Sequence, residues 1–429
     1  MPPWTSFLSS RLRDLAGERS GGVAASLAVA VLPMIALVGG SVDFYRLQDE
    51  RAKLQSAADS AVLSAIAKAS LSLTTSQAAS TAERVFRSQL STAELSSLLS
   101  TTPTVADDSS NRNVTYSFKA KIPTLFMNII GISTLETDGT SSATVALPVY
   151  MDFYLLLDNT PSMGVAATNA DIAKMVANTS DQCAFACHDM SATPNDYYGL
   201  AKKLGVTMRI DVVRSATQQL MDTATATQAV ADQFRMAIYT FGASATAPAL
   251  TTISGLTNNL SGAKTAAAAI DLMTTPQQNY NSDMDTDFDG VLAAVNSAIP
   301  TPGPGNSASA TPQKVLFFVS DGVADANYPS TCSQPPYDGY RCEESLTVAT
   351  CTAIKNRGVK IAVLYTSYLP LPTNGWYNSQ IAPFASQIPT NMKACASPGL
   401  YFEVTPTDGI AEAMSALFTK AVQTARLTK

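Results

Sequence analysis

The stretch Leu155–Gly164, LLLDNTPSMG, decides the fold: three leucines run straight into an aspartate, small hydroxyl side chains, a proline and a glycine. An apolar run of this length that stops on polar oxygens reads as a buried strand ending in a surface loop. Similar runs recur downstream as FRMAIYTFGA, KVLFFVSDG, VKIAVLYTSY and LYFEVT. Between them lie amphipathic stretches such as RIDVVRSATQQLMDTA, FDGVLAAVNSAI and TDGIAEAMSALFTKAVQTARL. The alternation predicts an α/β domain over residues 149–429, a mainly parallel sheet with helices on both faces. Three longer inserts interrupt it, near 165–206, 324–344 and 369–394. Such sheets bind ligands beyond the carboxyl ends of their strands, which is where LLLDNTPSMG lies.

Read by spacing, the loop offers Asp158, Thr160 and Ser162, one carboxylate and two hydroxyls. KVLFFVSDG ends in Ser320, Asp321 and Gly322, and NSDMDTDFDGVLAAV places Thr286 ahead of a helix. If those three loops are neighbours, Asp158, Thr160, Ser162, Thr286 and Asp321 converge as an all-oxygen set. Hard oxygens suit Mg²⁺, with Ca²⁺ or Mn²⁺ as alternatives, and no organic cofactor is expected. The bland reading of DNTPS is an Asx or Ser/Thr turn. Asp285, Asp287, Asp289 and Gly290 also spell the start of an EF-hand loop, but its twelfth position is Asn296 instead of the bidentate glutamate. These aspartates are expected to cap the helix that follows.

Ahead of this domain, Gly21–Val42 reads GGVAASLAVAVLPMIALVGGSV, without a charge and long enough to cross a bilayer. Gly21, Gly22, Leu27, Leu32, Pro33, Ile35, Leu37 and Val42 form this anchor, and its length favours it over a cleaved signal peptide. Lys plus Arg number three on each flank (Arg11, Arg13, Arg19; Arg46, Arg51, Lys53), so charge does not orient it. Residues 1–20 form a short N-terminal, cytoplasmic segment. Residues 43–100 read as an extended helical stalk. TTPTVADDSSN reads as a loop, and residues 101–148 as a small β-containing connector that completes an α+β region.

Cys183, Cys187, Cys332, Cys342, Cys351 and Cys395 make an even count that suits disulfides in an oxidising compartment. Chain proximity pairs Cys183 with Cys187, Cys332 with Cys342 and Cys351 with Cys395, one choice among 15 connectivities. CAFACH has one residue too many for haem attachment, so His188 is expected exposed beside a short closed loop. With charged residues at only 14% and a net charge of −6, no basic stripe exists for nucleic acid. The sequence shows no GxSxG elbow and no phosphate loop, and a triad would have to use His188 in an insert; enzymatic activity is not expected.

Two resemblances follow from these residues. The order Asp158-x-Thr160-x-Ser162, then Thr286, then Asp321 resembles the metal-ion-dependent adhesion site of von Willebrand factor type A domains, with Thr160 where that pattern has serine. The stretch Arg19–Ala65 resembles the N-terminal module of TadE/TadG-like proteins of tight-adherence (Flp) pilus systems, through Gly21, Gly22, Asp43, Leu54, Gln55, Ala57, Ala58, Asp59, Ala61 and Leu63. Together they resemble the TadG architecture. That resemblance implies a single-pass inner-membrane protein, its bulk in the periplasm, that serves pilus assembly through protein partners, one of which offers a carboxylate to the metal. A surface adhesin and a pilin-like subunit are the alternatives.

Overall fold

The computed structural model describes residues 21–427, apart from 109, 186–187, 192–195, 278–279, 307–310, 328–329, 369, 371–373 and 406–408. Residues 1–20, Cys187 and the side chain of Leu32, all named above, lie outside the described residues. The chain divides into two compact units, 1–147 and 148–429.

In the first unit, helix α1 runs unbroken from Gly21 to Ile66 with Pro33 inside it. Its early part exposes Leu27, Val29, Met34, Leu37 and Val38, while its later part buries Leu54, Ala57, Ala58, Ala61, Val62 and Ala65. Small alanines at helical spacing let a backbone come close, and this face lies on an antiparallel sheet in the order β1 (Leu98–Asp107), β2 (Asn111–Pro123), β3 (Thr134–Ala146). Gln55 donates to Thr140 O at 3.1 Å, and Asp59 accepts from Ser141 Oγ at 2.7 Å. At Gly139 a Cβ would meet Phe118 Cζ at 2.5 Å and Gln55 Oε1 at 2.6 Å, so a larger residue there would have to displace both side chains. Helix α2, Thr75–Ser88, opens with a Thr74–Gln77 capping box and packs Phe86 against Tyr116 at 4.6 Å between centroids.

Residues 43–100 are therefore no free stalk, because they share one core with 101–147. The expected loop at TTPTVADDSSN is mostly strand β1. Threonines suit a half-exposed pleat, and the strand is closed by buried Arg112, which grips Asp107 at 2.8 Å and donates to Ser70 O at 2.6 Å.

The second unit is built on a six-stranded sheet. Its strands are β4 (Met151–Leu157), β5 (Phe234–Thr240), β6 (Thr251–Thr257), β7 (Gln313–Ser320), β10 (Lys360–Thr366) and β11 (Tyr401–Val404), with a small hairpin, β8 (Val323–Ala326) and β9 (Cys342–Ser345), beside it. The order across the sheet is β11-β10-β7-β4-β5-β6. Every pairing is parallel except that of β6, an antiparallel edge that the sequence reading did not contain. Alternation along β4 sends Phe153, Leu155 and Leu157 to one face, against α3 (Arg209–Thr227), α4 (Leu260–Ala267) and the C-terminal helix Ile410–Leu427. Tyr154 and Leu156 face the other way, toward Phe288–Ala298, Val348–Asn356 and Gln387–Cys395. The chain winds outward from β4 to β5 and β6, then returns to β7 on the opposite side. That reversal is a topological switch point, and it opens a crevice at the carboxyl ends of β4 and β7.

At the opposite end of β4, Asp152 is fully buried, held by Arg235 at 2.7 and 2.8 Å and by the buried Lys314. Asp152→Ala strands Lys314 without a partner and is expected to cost about 3–5 kcal/mol in urea unfolding.

Disulfides join Cys332 to Cys342 within the second insert and Cys351 to Cys395 between two helices. The second closes 44 residues, and replacing both of its cysteines with serine is expected to remove about 2–4 kcal/mol in the same assay. Cys183 is half-buried. His188 is half-buried as well, its ring 4.7 Å from that of Tyr198, which corrects the expectation of an exposed side chain.

Candidate metal-binding face

Asp158 follows the last residue of β4, and its backbone amide donates to Val319 O at 2.9 Å, so the ends of β4 and β7 are stitched together. Its side chain is wholly buried. Oδ1 accepts from the Thr160 amide at 3.0 Å and from Thr160 Oγ1 at 2.7 Å, while Oδ2 accepts from Ser320 Oγ at 2.6 Å. Thr160 Oγ1 lies 3.3 Å from Ser162 Oγ. The loop is braced from behind by Asn159, whose side chain donates to Gly242 O at 2.6 Å and accepts from the Phe241 amide at 3.0 Å.

Asp321 is also fully buried. Its neighbour Gly322 has φ +78°, and a Cβ there would meet Ile388 at 2.7 Å; only glycine makes this turn. Arg209, from the first turn of α3, reaches Asp321 Oδ2 at 3.3 Å and is itself fully buried. Among the described residues its Nε has no hydrogen-bond partner. Burial and the nearby Asp321 push the Asp158 carboxyl up to about 7. Burial also raises Asp321, against the pull of Arg209. Two buried carboxyl groups and the hydroxyls beside them make a set of hard oxygens. That donor chemistry fits a divalent cation.

Thr286 is placed by backbone: its amide donates to Asp325 O at 2.9 Å and its carbonyl accepts from the Asp325 amide at 3.0 Å. Of the acidic run, Asp287 caps the helix Phe288–Ala298 by accepting from the Gly290 amide at 2.7 Å. Asp285 does not cap. It is buried with neither carboxylate oxygen partnered among the described residues, and burial pushes it up to about 7.

Ser162 and Thr286 both line a cleft of about 500 Å³. Side chains from the inserts line it too: Phe185 from the first, Tyr337, Tyr340 and Arg341 from the second, Trp376 and Tyr377 from the third. Arg341 stacks 4.2 Å from the Trp376 ring and bonds Asp325 at 2.9 Å and Glu343 at 3.0 Å. Spacing rules single out none of these insert side chains.

Residues 21–83 match the Tad family, described as Flp pilus-assembly TadE/G-like. No curated protein matches the chain. Among solved structures, the pilus adhesin SpaC from Lactobacillus rhamnosus GG is 11% identical with a TM-score of 0.38, covering 76% of this chain and 34% of that one. The vWF domain of the type V pili tip protein Mfa5 from Porphyromonas gingivalis is 14% identical with a TM-score of 0.36, covering 66% of this chain and 97% of that one. Proximal thread matrix protein 1 from the mussel byssus, in a structure with a zinc-occupied MIDAS motif, is 12% identical with a TM-score of 0.35 and is covered to 48%, against 65% of this chain. The chain thus spans about a third of SpaC and about half of the byssus protein. The α/β assignment rests on the sheet order itself, and the N-terminal unit begins with a TadE/G-like Flp pilus-assembly segment, residues 21–83.

Proposed function

We propose that this protein is a non-enzymatic, membrane-anchored component of Flp pilus assembly, whose α/β domain binds protein partners through a cation held at the carboxyl ends of β4 and β7. The observation that carries the reading is the pair of fully buried carboxylates, Asp158 and Asp321, set against a single buried arginine where two loops diverge. Asp158 and Asp321 would hold the ion directly or through water, and Thr160, Ser162 and Thr286 would supply hydroxyls. Bound there, Mg²⁺, or Ca²⁺ or Mn²⁺ in its place, supplies an open position for a carboxylate from the partner. The chain's own residues hold those oxygens in register, and the three inserts wall the approach.

Helix α1 is long and apolar enough to cross a membrane. We place it in the inner membrane with the bulk of the chain in the periplasm, the compartment in which the two disulfides persist. Capture of the other Flp assembly proteins from detergent extracts is expected to fall severalfold in EDTA and to return with Mg²⁺. Capture indifferent to EDTA contradicts the metal-dependent reading. Protease shaving of whole cells separates this role from a surface adhesin: the α/β domain is expected to be protected, and its cleavage would favour the adhesin.

A further inference from the structure

The hairpin between β2 and β3 ends in Leu125–Ile132, LFMNIIGI, with Leu125, Phe126, Ile129, Ile130 and Ile132 exposed by 38% to 64%. Five large apolar side chains in eight residues form a patch that a water-facing surface rarely carries. The fold holds this tip in a definite place. The Asp43 carboxylate accepts the amides of Leu125, Phe126 and Met127 at 2.8, 2.9 and 2.8 Å. Phe126 packs so closely on α1 that a Cβ at Gly39 would lie 2.3 Å from its own Cβ.

These contacts fix the tip's level relative to the apolar span. Gly21–Val42 as a helix is about 33 Å long at 1.5 Å per residue, close to the roughly 30 Å of bilayer hydrocarbon. The tip meets α1 at the last turn of that apolar span, Gly39 to Asp43. Phe44 and Tyr45, next along α1, are exposed at the depth where aromatic side chains anchor proteins to the interface. Between tip and helix runs an apolar groove of about 370 Å³ lined by Met34, Ile35, Val38, Val42 and Phe126. Irregular backbone near hydrocarbon must have its amides satisfied. The three bonds to Asp43 do that, which gives a physical role to a residue that also carries the TadE/TadG-like resemblance.

We propose that Leu125–Ile132 is a second membrane contact, which dips its leucine and isoleucines into the lipid interface beside α1 while an acyl chain lies in the groove. The proposal rests on the reading of α1 as a membrane span. The occupant is lipid because the patch is continuous with the exposed apolar belt of α1.

The test uses the full chain with Trp4 and Trp376 changed to phenylalanine, reconstituted in phosphatidylcholine vesicles. A single tryptophan is placed by Ile129→Trp, or by Ser76→Trp in the first turn of α2 as the aqueous control. Brominated phosphatidylcholine is expected to quench Ile129→Trp at least twofold and to leave Ser76→Trp unchanged. Gly39→Leu, which pushes Phe126 off the helix, is expected to abolish that quenching while the protein still floats with vesicles. If the chain floats but Ile129→Trp stays open to aqueous acrylamide, the tip proposal fails and the span stands. Ile129→Trp shielded from both quenchers means that protein covers the tip, which also overturns the proposal. A chain that does not float refutes the span itself.

Discussion

Replacing Arg209 with glutamine is expected to lower the stability of the metal-free protein by about 3–5 kcal/mol and to tighten divalent-cation binding at least about tenfold. The two effects have one origin. Arg209 is the only positive charge in contact with Asp321 among the described residues, and both are fully buried. Without the guanidinium, Asp321 and Asp158 remain as two buried carboxylates with only hydroxyl and amide donors. The same guanidinium repels an incoming cation in a region of low dielectric, where charges a few ångströms apart interact by several kcal/mol. Urea unfolding in EDTA reads the first effect and Mn²⁺ titration the second. In saturating Mn²⁺ the variant is expected to recover most of the lost stability by mass action. A variant as stable as wild type in EDTA would show that Arg209 does not balance this site.

Asp158→Ala is expected to act in the opposite sense. Cation affinity should fall at least about 100-fold, some 2.7 kcal/mol, and metal-dependent partner capture should be lost. Stability in EDTA should change by no more than about 1–2 kcal/mol. Losing the acceptor for the Thr160 amide, Thr160 Oγ1 and Ser320 Oγ costs something. Burial of that carboxylate next to Asp321 is itself unfavourable, as its rise to about 7 shows, so the two changes offset. Mn²⁺ titration and urea unfolding of the same preparation separate the two effects.

How far the sequence reaches can be seen by comparing Asp158 with Arg209. Asp158, Thr160, Ser162 and Asp321 were legible because an apolar run that stops on oxygen marks a strand end, and strand ends in a parallel sheet converge. Arg209 was not. An arginine in the first turn of an amphipathic helix reads as solvated, and only the folded arrangement of strand ends and inserts buries it. Arg341 and Trp376 escaped for a related reason: they lie in inserts without periodicity, and their pairing depends on long-range placement.

In the first unit, the alanine spacing of α1 was readable as a helix, but not the sheet that the alanines cover. Strand β1, rich in serine and threonine, looked like a loop because its composition suits either state until β2 is there to pair with it. Edge strand β6 was overlooked similarly. Its residues are only half-buried, so it lacks the continuous apolar run that marks the interior strands. Asp43 shows the converse case. Its place in the TadE/TadG-like resemblance gives no physical role, whereas the fold does: its carboxylate accepts three amides.

The central claim, that the ends of β4 and β7 form a cation site, is tested most directly by titrating Mn²⁺ into the full-length wild-type protein and into Asp158→Asn, with bound metal counted by electron paramagnetic resonance. One ion per wild-type chain, displaced by Mg²⁺ and absent from Asp158→Asn, is the result expected. No bound ion in the wild type, or an ion that Asp158→Asn retains with unchanged affinity, would contradict it.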